Sequence, residues 1–354
     1  MGVGRATTYR VDSMSATDRF AEPSGAEKDG DRSMRPESIR HDALAGPVSH
    51  THPPVLCGVD DGAESRTAGL VAVRLAEALS ARLVLAHVMP SPDAPPSGMT
   101  SQRDLLRNRA VEAGRRLLRE VAGGLLGDTG SETLEGADTR VDFGDPARRL
   151  AEAAEEIEAR VIVVGARGRG LVKVAVAVAG SVSQTLAAEQ SRPVLVVPPE
   201  TEIAAGLLPP AGGSRSSVVC GVDGSDGADR AARVAAGLAS SLGRRLILAH
   251  AEEAEAPTSR EEAAEFDDLL DSDARPRLRL LEQARKATGG AETELRLISG
   301  DPAAALEELA VRESTELIAV GTRGHGAVRA LALGSVSRTL AESSSRPVLI
   351  VNEP

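Results

Sequence analysis

The sequence predicts an α/β fold in two tandem copies, each a five-stranded parallel sheet with helices on both faces. Three observations carry this. Short aliphatic runs such as VLCGV, LVLAHV and VIVVG recur with little polar alternation, the pattern of strands buried on both faces. Ala-rich helical segments separate them, which is the βαβ order of a parallel sheet. The whole pattern then occurs twice.

The repeat is read from constant offsets. Cys57, Asp60 and His87 match Cys220, Asp223 and His250 at an offset of 163. GDPA at Gly144 matches GDPA at Gly300 at 156, as Gly165 and Gly168 match Gly321 and Gly324. Gly180-Ser181 and SRPVL at Ser191 match Gly334-Ser335 and SRPVL at Ser345 at 154. Offsets that hold steady and change only twice indicate a duplication. Seven residues of difference fall between the second and third strands, and two fall within a glycine-rich loop.

In the second copy SVVCGVD is a buried strand, followed by a helix around Asp226 to Leu242 and the strand RRLILAHA. A longer helix is expected over about 260–287, after an acidic stretch from Glu252 to Asp273 that reads as a solvated face. ELRLIS is the third strand. Pro302 suits the first turn of the next helix, DPAAALEELAVRE. ELIAV, the glycine loop, a helix from Ser335 and the strand RPVLIV complete the copy. Crossovers should be right-handed. The expected organisation is a disordered tail over 1–53, a first domain over 54–199, a linker over 200–216 and a second domain over 217–354. The tail is mixed in charge, contains Gly, Pro and Ser, and lacks periodicity. His41, His50 and His52 read as solvated tail residues rather than a metal tract.

Composition excludes several functions. The 354 residues are 42% hydrophobic but only 1% aromatic, so the core is aliphatic. Single-stranded nucleic acid is bound on aromatic stacking platforms, and duplexes on basic faces. With a net charge of −11, no nucleic-acid partner is expected. Cys57 and Cys220 sit in apolar strand runs with no CxxC and no clustered His, so they read as buried hydrophobes rather than zinc ligands. No apolar run reaches the length of a membrane span, and the first residues lack a signal-peptide core. A soluble cytoplasmic chain is expected, with no membrane partner.

The chemistry concentrates in GTRGHGAVRALALGS, Gly321 to Ser335. It follows a strand, and ligands of open α/β sheets sit beyond strand carboxyl ends. Glycines let backbone N–H groups approach an anion and form a nest. Gly334-Ser335 opens a helix whose first N–H groups and dipole favour negative charge, and Ser335 and Ser337 offer hydroxyl donors. A second reading stands beside it, in which Ser335 is an ordinary N-cap, Gly334 a turn residue and Gly321 a strand end. Asp223, in VDGS, likewise has two readings: an acceptor for ribose hydroxyls or a turn and cap residue. No GxxxxGK[ST] is present, and no GxGxxG lies between a strand and a helix.

Together these residues resemble the universal stress protein family, whose fourth strand is followed by G-x2-G-x9-G-[ST]. Gly321, Gly324, Gly334 and Ser335 match, with nine residues between Gly324 and Gly334. The VDGS after strand one, the LAH ending strand two, the GDP after strand three and the final RPVLIV match as well. The resemblance runs from about Val55 to Val351, in both copies. It implies Rossmann-like domains of the adenine nucleotide alpha hydrolase-like kind and an ATP site, with or without Mg. Adenine and ribose would lie near the strand-one Asp and the residue after the strand-two His, and the loop would hold the phosphates. In the second copy these residues are Asp223, Ala251, Gly321, Gly324, Gly334, Ser335, Val336 and Ser337. In the first they are Asp60, Val88, Gly165, Gly168, Gly180, Ser181, Val182 and Ser183.

The first copy departs from the pattern twice. It reads VDDG in place of VDGS, and eleven residues separate Gly168 from Gly180. The second copy is therefore the better-kept site. Family members pair through the last strand, which implies an intramolecular pseudo-dimer able to associate further into a homodimer. The function implied is a regulatory ATP-binding stress protein whose nucleotide state controls an unidentified protein partner or its own assembly. The alternatives are slow ATP hydrolysis and a pure interaction protein with one or both domains unable to bind nucleotide. No catalytic residue is assigned, since Arg323 and His325 read as solvated loop residues, and the adenylating signature SGGxDS is absent.

Overall fold

The computed structural model describes residues 7–9, 39–41, 52–90, 100–131, 136–166, 182–199, 201, 216–252, 276–289, 291–322 and 333–352. Two short strands come first, β1 (Thr7–Tyr9) and β2 (Ile39–His41). The first half comprises β3 (His52–Gly58), α1 (Ala63–Ala78), β4 (Ala81–Met89), α2 (Thr100–Thr129), β5 (Asp138–Phe143), α3 (Pro146–Glu156), β6 (Val161–Gly165), α4 (Val182–Glu189) and β7 (Val194–Val197). The second comprises β8 (Ser217–Gly221), α5 (Asp226–Leu242), β9 (Arg245–Glu252), α6 (276–287), β10 (Thr293–Ser299), α7 (Pro302–Arg312), β11 (Thr315–Gly321), α8 (Ser335–Ser343) and β12 (Val348–Val351).

The halves share one topology. Their strand orders are β5-β4-β3-β6-β7 and β10-β9-β8-β11-β12, all neighbours parallel. The order reverses beside β3 and β8, and there the strand ends open a crevice. Successive side chains of a strand point to opposite faces, so each aliphatic run feeds two cores. Cys57, Leu85 and Val163 pack under α1 and α2, with Cys220, Leu248 and Ala319 under α5 and α6. Leu56, Ile162, Val219 and Ile318 face the opposite layer of α3, α4, α7 and α8. Both faces are covered, as predicted.

The repeated GDPA is a helix-start device. Gly144 and Gly300 take φ of +127° and +112°, conformations open to glycine. The following Asp145 and Asp301 accept from the N–H groups of Arg148 (2.9 Å) and Ala304 (3.0 Å) as N-caps, and Pro occupies the first helical turn.

β7 and β12 pair antiparallel, with Leu349 opposite Leu195, and the two sheets become one of twelve strands. Side chains sew the junction. Arg160 donates to the Gly237 carbonyl (3.2 Å) and Ser241 Oγ (2.7 Å), and Arg230 donates to the Ser191 carbonyl (3.2 Å).

The segment expected to be a disordered tail differs in two places. Thr7–Tyr9 pairs antiparallel with β10 and Ile39–His41 with β5, covering part of both outer edges. An open edge presents unpaired backbone groups, and three residues suffice to cover part of one without any hydrophobic period. His52 opens β3. The rest of residues 1–51, with His50, lies outside the described residues, as do 202–215 of the expected linker and 253–275 of the acidic stretch and expected long helix. Among the described residues no helix is long and apolar enough to cross a membrane.

Leu195 and Leu349 face each other across the junction, each about 1% exposed. Leu195→Ala and Leu349→Ala should each destabilise the chain by about 2–5 kcal/mol. The double variant should lose less than their sum, because both empty one space. Urea unfolding of the four proteins measures both effects.

Candidate functional site

At the reversal point of the second half, the carboxyl ends of β8, β9 and β11 and the start of α8 enclose a cavity of about 470 Å³. Asp223, Ala251, Gly321, Gly334, Ser335, Val336 and Ser337 all line it. These are the residues the sequence singles out, apart from Gly324, which lies outside the described residues. Thr322, Pro302, Leu306 and Val320 also contribute, and sequence reasoning missed them.

Each residue arrives by a local rule. Asp223 leaves β8, and its Oδ1 accepts from the N–H (3.0 Å) and Oγ (2.6 Å) of Ser225. Ser225 Oγ in turn accepts from Ala228 N–H (3.2 Å) and caps α5. Gly224, at φ +84°, allows the turn. The turn reading of Asp223 is thus realised. His250 Nδ1 lies 2.8 Å from the Val222 carbonyl, and His87 Nδ1 lies 2.8 Å from the Val59 carbonyl. A carbonyl only accepts, so Nδ1 carries the proton in both. Each His pins the exit of its first strand and fixes the next residue, Ala251 or Val88, on the cleft wall.

Gly321 ends β11 against the start of α5. A Cβ built there would lie 2.9 Å from the Gly227 carbonyl carbon and 3.0 Å from its oxygen. The twin Gly165 would meet the Glu64 carbonyl oxygen at 2.8 Å. Both glycines therefore permit close packing of strand on helix.

The loop after β11 is closed at its base. Gly334 N–H donates to the Thr322 carbonyl (2.7 Å), and Thr322 N–H donates to the Val351 carbonyl (3.1 Å). Ser337 is buried, with Oγ 3.1 Å from the carbonyl oxygens of both Thr322 and Gly334, so its hydroxyl braces the same base. The N-cap of α8 is Gly334, not Ser335, and no side chain caps it, as none caps α1 at Gly62, whereas Asp145, Ser225 and Asp301 cap α3, α5 and α7. Ser335 is the exposed first helical residue. The first-turn N–H groups of α8, at the positive end of its dipole, stand at the cavity wall. Val336 packs its partly buried side chain on the helical layer.

In the first half Asp60 makes the equivalent turn, with Oδ1 2.9 Å from Gly62 N–H, and its own N–H donates to Ser65 Oγ (2.8 Å). Val182 opens α4 and Ser183 is buried. Gly168, Gly180, Ser181 and the two extra loop residues lie outside the described residues. One difference is visible beside Val88. Its neighbour on β5 is Asp142, buried and paired with Arg140, which also reaches Glu156 at 2.7 Å. In the second half the neighbour of Ala251 is Ile298. At this position the first cleft is flanked by a buried carboxylate where the second has an aliphatic side chain, while Arg296, the equivalent of Arg140, pairs with Glu294 at 2.7 Å.

Among the described residues no group of three or more His, Cys, Asp or Glu could hold a metal. Both cysteines are fully buried and free. Burial pushes the Cys57 thiol up to about 12 and also raises that of Cys220, where the carboxylates of Asp223 and Asp229 add to the effect.

Two outcomes follow from these contacts. Gly321→Ala should destabilise the fold by about 1–3 kcal/mol, because its Cβ meets backbone and not a movable side chain; thermal unfolding reports it with no ligand present. A thiol reagent at pH 8.5 should label neither cysteine until the chain unfolds. An ordinary thiol, with a pKa near 8.5, would be half ionised at that pH. Its folded value is raised, so the thiols add stability below the unfolded pKa, and that stability is lost as pH climbs from about 9 toward 12.

A family model described as the universal stress protein family matches residues 52–198 and again 215–352. A universal stress protein of Thermus aquaticus is 36% identical over 135 residues, covering 38% of this chain and 97% of its own. A universal stress protein of Mycobacterium tuberculosis is 27% identical over 314 residues, covering 85% of this chain and 95% of its own. The crystal structure of a universal stress protein from Archaeoglobus fulgidus superposes with a TM-score of 0.58 at 22% identity, covering 86% of this chain and all of that one, a likeness of fold. With two matches that together span most of its length, the chain belongs to the universal stress protein family.

Proposed function

We propose that the cavity of the second half binds ATP, and that its nucleotide state controls a protein partner or the chain's own assembly during stress in the cytoplasm. One observation carries the reading. Seven residues expected from the family motif, distant in sequence, line one cavity of about 470 Å³, a size typical of small-molecule sites. In this reading Ala251 and Asp223 flank adenine and ribose. The glycine loop, with Gly324, and the uncapped start of α8 receive the phosphates. Mg, where present, is carried by the phosphates, and the reading assigns it no protein ligand. The domains run over 54–199 and 217–354, each a nucleotide-binding unit in origin. The first binds more weakly, because its loop is longer and a buried carboxylate, Asp142, flanks its cleft where the second has Ile298.

Ser335→Glu separates binding from folding. Ser335 is exposed at the first position of α8, where a carboxylate favours the helix by about 0.3–1 kcal/mol. It also places negative charge where the phosphates would lie. Calorimetric titration with ATP should show at least about a tenfold loss of affinity, with the melting temperature equal to the wild type or higher. Unchanged affinity in the variant, or no binding by the folded wild type at millimolar ATP, would rule the reading out.

A further inference from the structure

We propose that Asn352 is a positioning residue through which the first half shapes the ligand cavity of the second. Two bonds make the connection. Thr322 Oγ1 donates to Asn352 Oδ1 (2.9 Å), and Asn352 Nδ2 donates to the carbonyl of Ala188 (2.7 Å) in the last turn of α4. Thr322 is also the base of the second-half loop, since its carbonyl accepts from Gly334 N–H (2.7 Å) and lies 3.1 Å from Ser337 Oγ. Thr322, Ser337 and Asn352 are 2%, 2% and 8% exposed. Little water reaches the chain to replace a lost partner, and an unmade bond there carries the full desolvation penalty.

The chemistry of each link is specific. The last four carbonyls of a helix have no intrahelical partner, and Asn352 supplies the missing donor for one of them from the other half. An amide is suited to this task because it accepts on one side and donates on the other. Thr322 and Ala188 need opposite roles from one residue. A plain cap for α4 would require only the Nδ2 bond. The Oδ1 bond to Thr322 turns the cap into a tie between α4 and the start of α8.

The duplication supplies an internal control. The residues equivalent to Thr322 and Asn352 in the first copy are Ala166 and Pro198. Ala166 keeps the backbone bond, its N–H 2.8 Å from the Val197 carbonyl, but neither side chain can hydrogen-bond. The tie therefore runs in one direction, from the first half's α4 to the second half's loop. The cavity side of this inference rests on the proposed nucleotide site, but the tie does not.

The test uses the full chain and three variants. Asn352→Asp keeps the acceptor for Thr322 and turns a carboxylate toward the Ala188 carbonyl, so it breaks the bond between halves. Thr322→Val breaks only the bond on the loop side and preserves shape. Hydrogen–deuterium exchange without ligand should show Asn352→Asp accelerating exchange about fivefold or more in peptides covering 333–337 as well as in those covering 186–190. Thr322→Val should accelerate the former, and the double variant should exceed neither single change at 333–337. ATP affinity should fall by a similar factor in each. If Asn352→Asp loosens 186–190 alone, Asn352 is only a helix cap and the proposal fails. Should Asn352→Asp not fold, Thr322→Val with unchanged exchange at 333–337 is equally fatal. Wild-type protein that binds no ATP would remove the nucleotide reading, while the exchange results still decide whether the tie exists.

Discussion

The antiparallel contact of β7 with β12 is the constraint on which the rest depends. Each half ends its sheet on a four-residue aliphatic strand, VLVV or VLIV, buried on both faces. Left open, such a strand would expose a row of unpaired N–H and C=O groups beside apolar surface. Pairing the two edges satisfies both at once and joins two small cores into two continuous layers, one on each side of a twelve-stranded sheet. The bonds of Arg160 and Arg230 to the opposite half, and that of Asn352 to Ala188, follow from the proximity this pairing creates.

The fold was legible because a strand covered on both faces is aliphatic whatever it packs against. Short runs around Cys57, Ile162, Cys220 and Ile318 therefore declare themselves without knowledge of their partners. The GDPA starts and the strand-two histidines were legible as repeated units. Their roles as cap and pin emerge only from geometry. The outer strands Thr7–Tyr9 and Ile39–His41 were not legible, since three mixed residues on an edge need neither period nor hydrophobicity. The residues of the candidate site could be named, but not their duties. Asp223 builds a turn, Ser337 braces a loop base, and Gly321 makes room for a helix backbone. Asn352 went unnoticed for a physical reason. Its partners, Thr322 and Ala188, are 30 and 164 positions away, and only a comparison with Ala166 and Pro198 marks it as unusual.

Duplication gave the halves one architecture, and substitution gave them different interiors. At the bottom of the second sheet Arg244 and Glu316 form a buried pair at 2.7 Å, with Ser216 sharing the carboxylate. The residue equivalent to Glu316 in the first half is Arg160, which leaves its own half and bonds to α5. Beside the clefts one position reverses the contrast, with the carboxylate of Asp142 on β5 in the first half and an aliphatic Ile298 on β10 in the second. Neither change disturbs the strand order. Both alter what a cleft or a junction can hold.

The antiparallel join also fixes how the molecule meets its surroundings. Because β7 and β12 run in opposite directions, the carboxyl ends of the two sets of parallel strands emerge on opposite rims of the joint sheet. Whatever leaves or enters the second half's cavity does so on the rim where the first half shows its strand beginnings. A single rigid body docked over one mouth cannot cover the other. The molecule is two-sided, and an assembly that senses both halves must either wrap around it or approach from two directions.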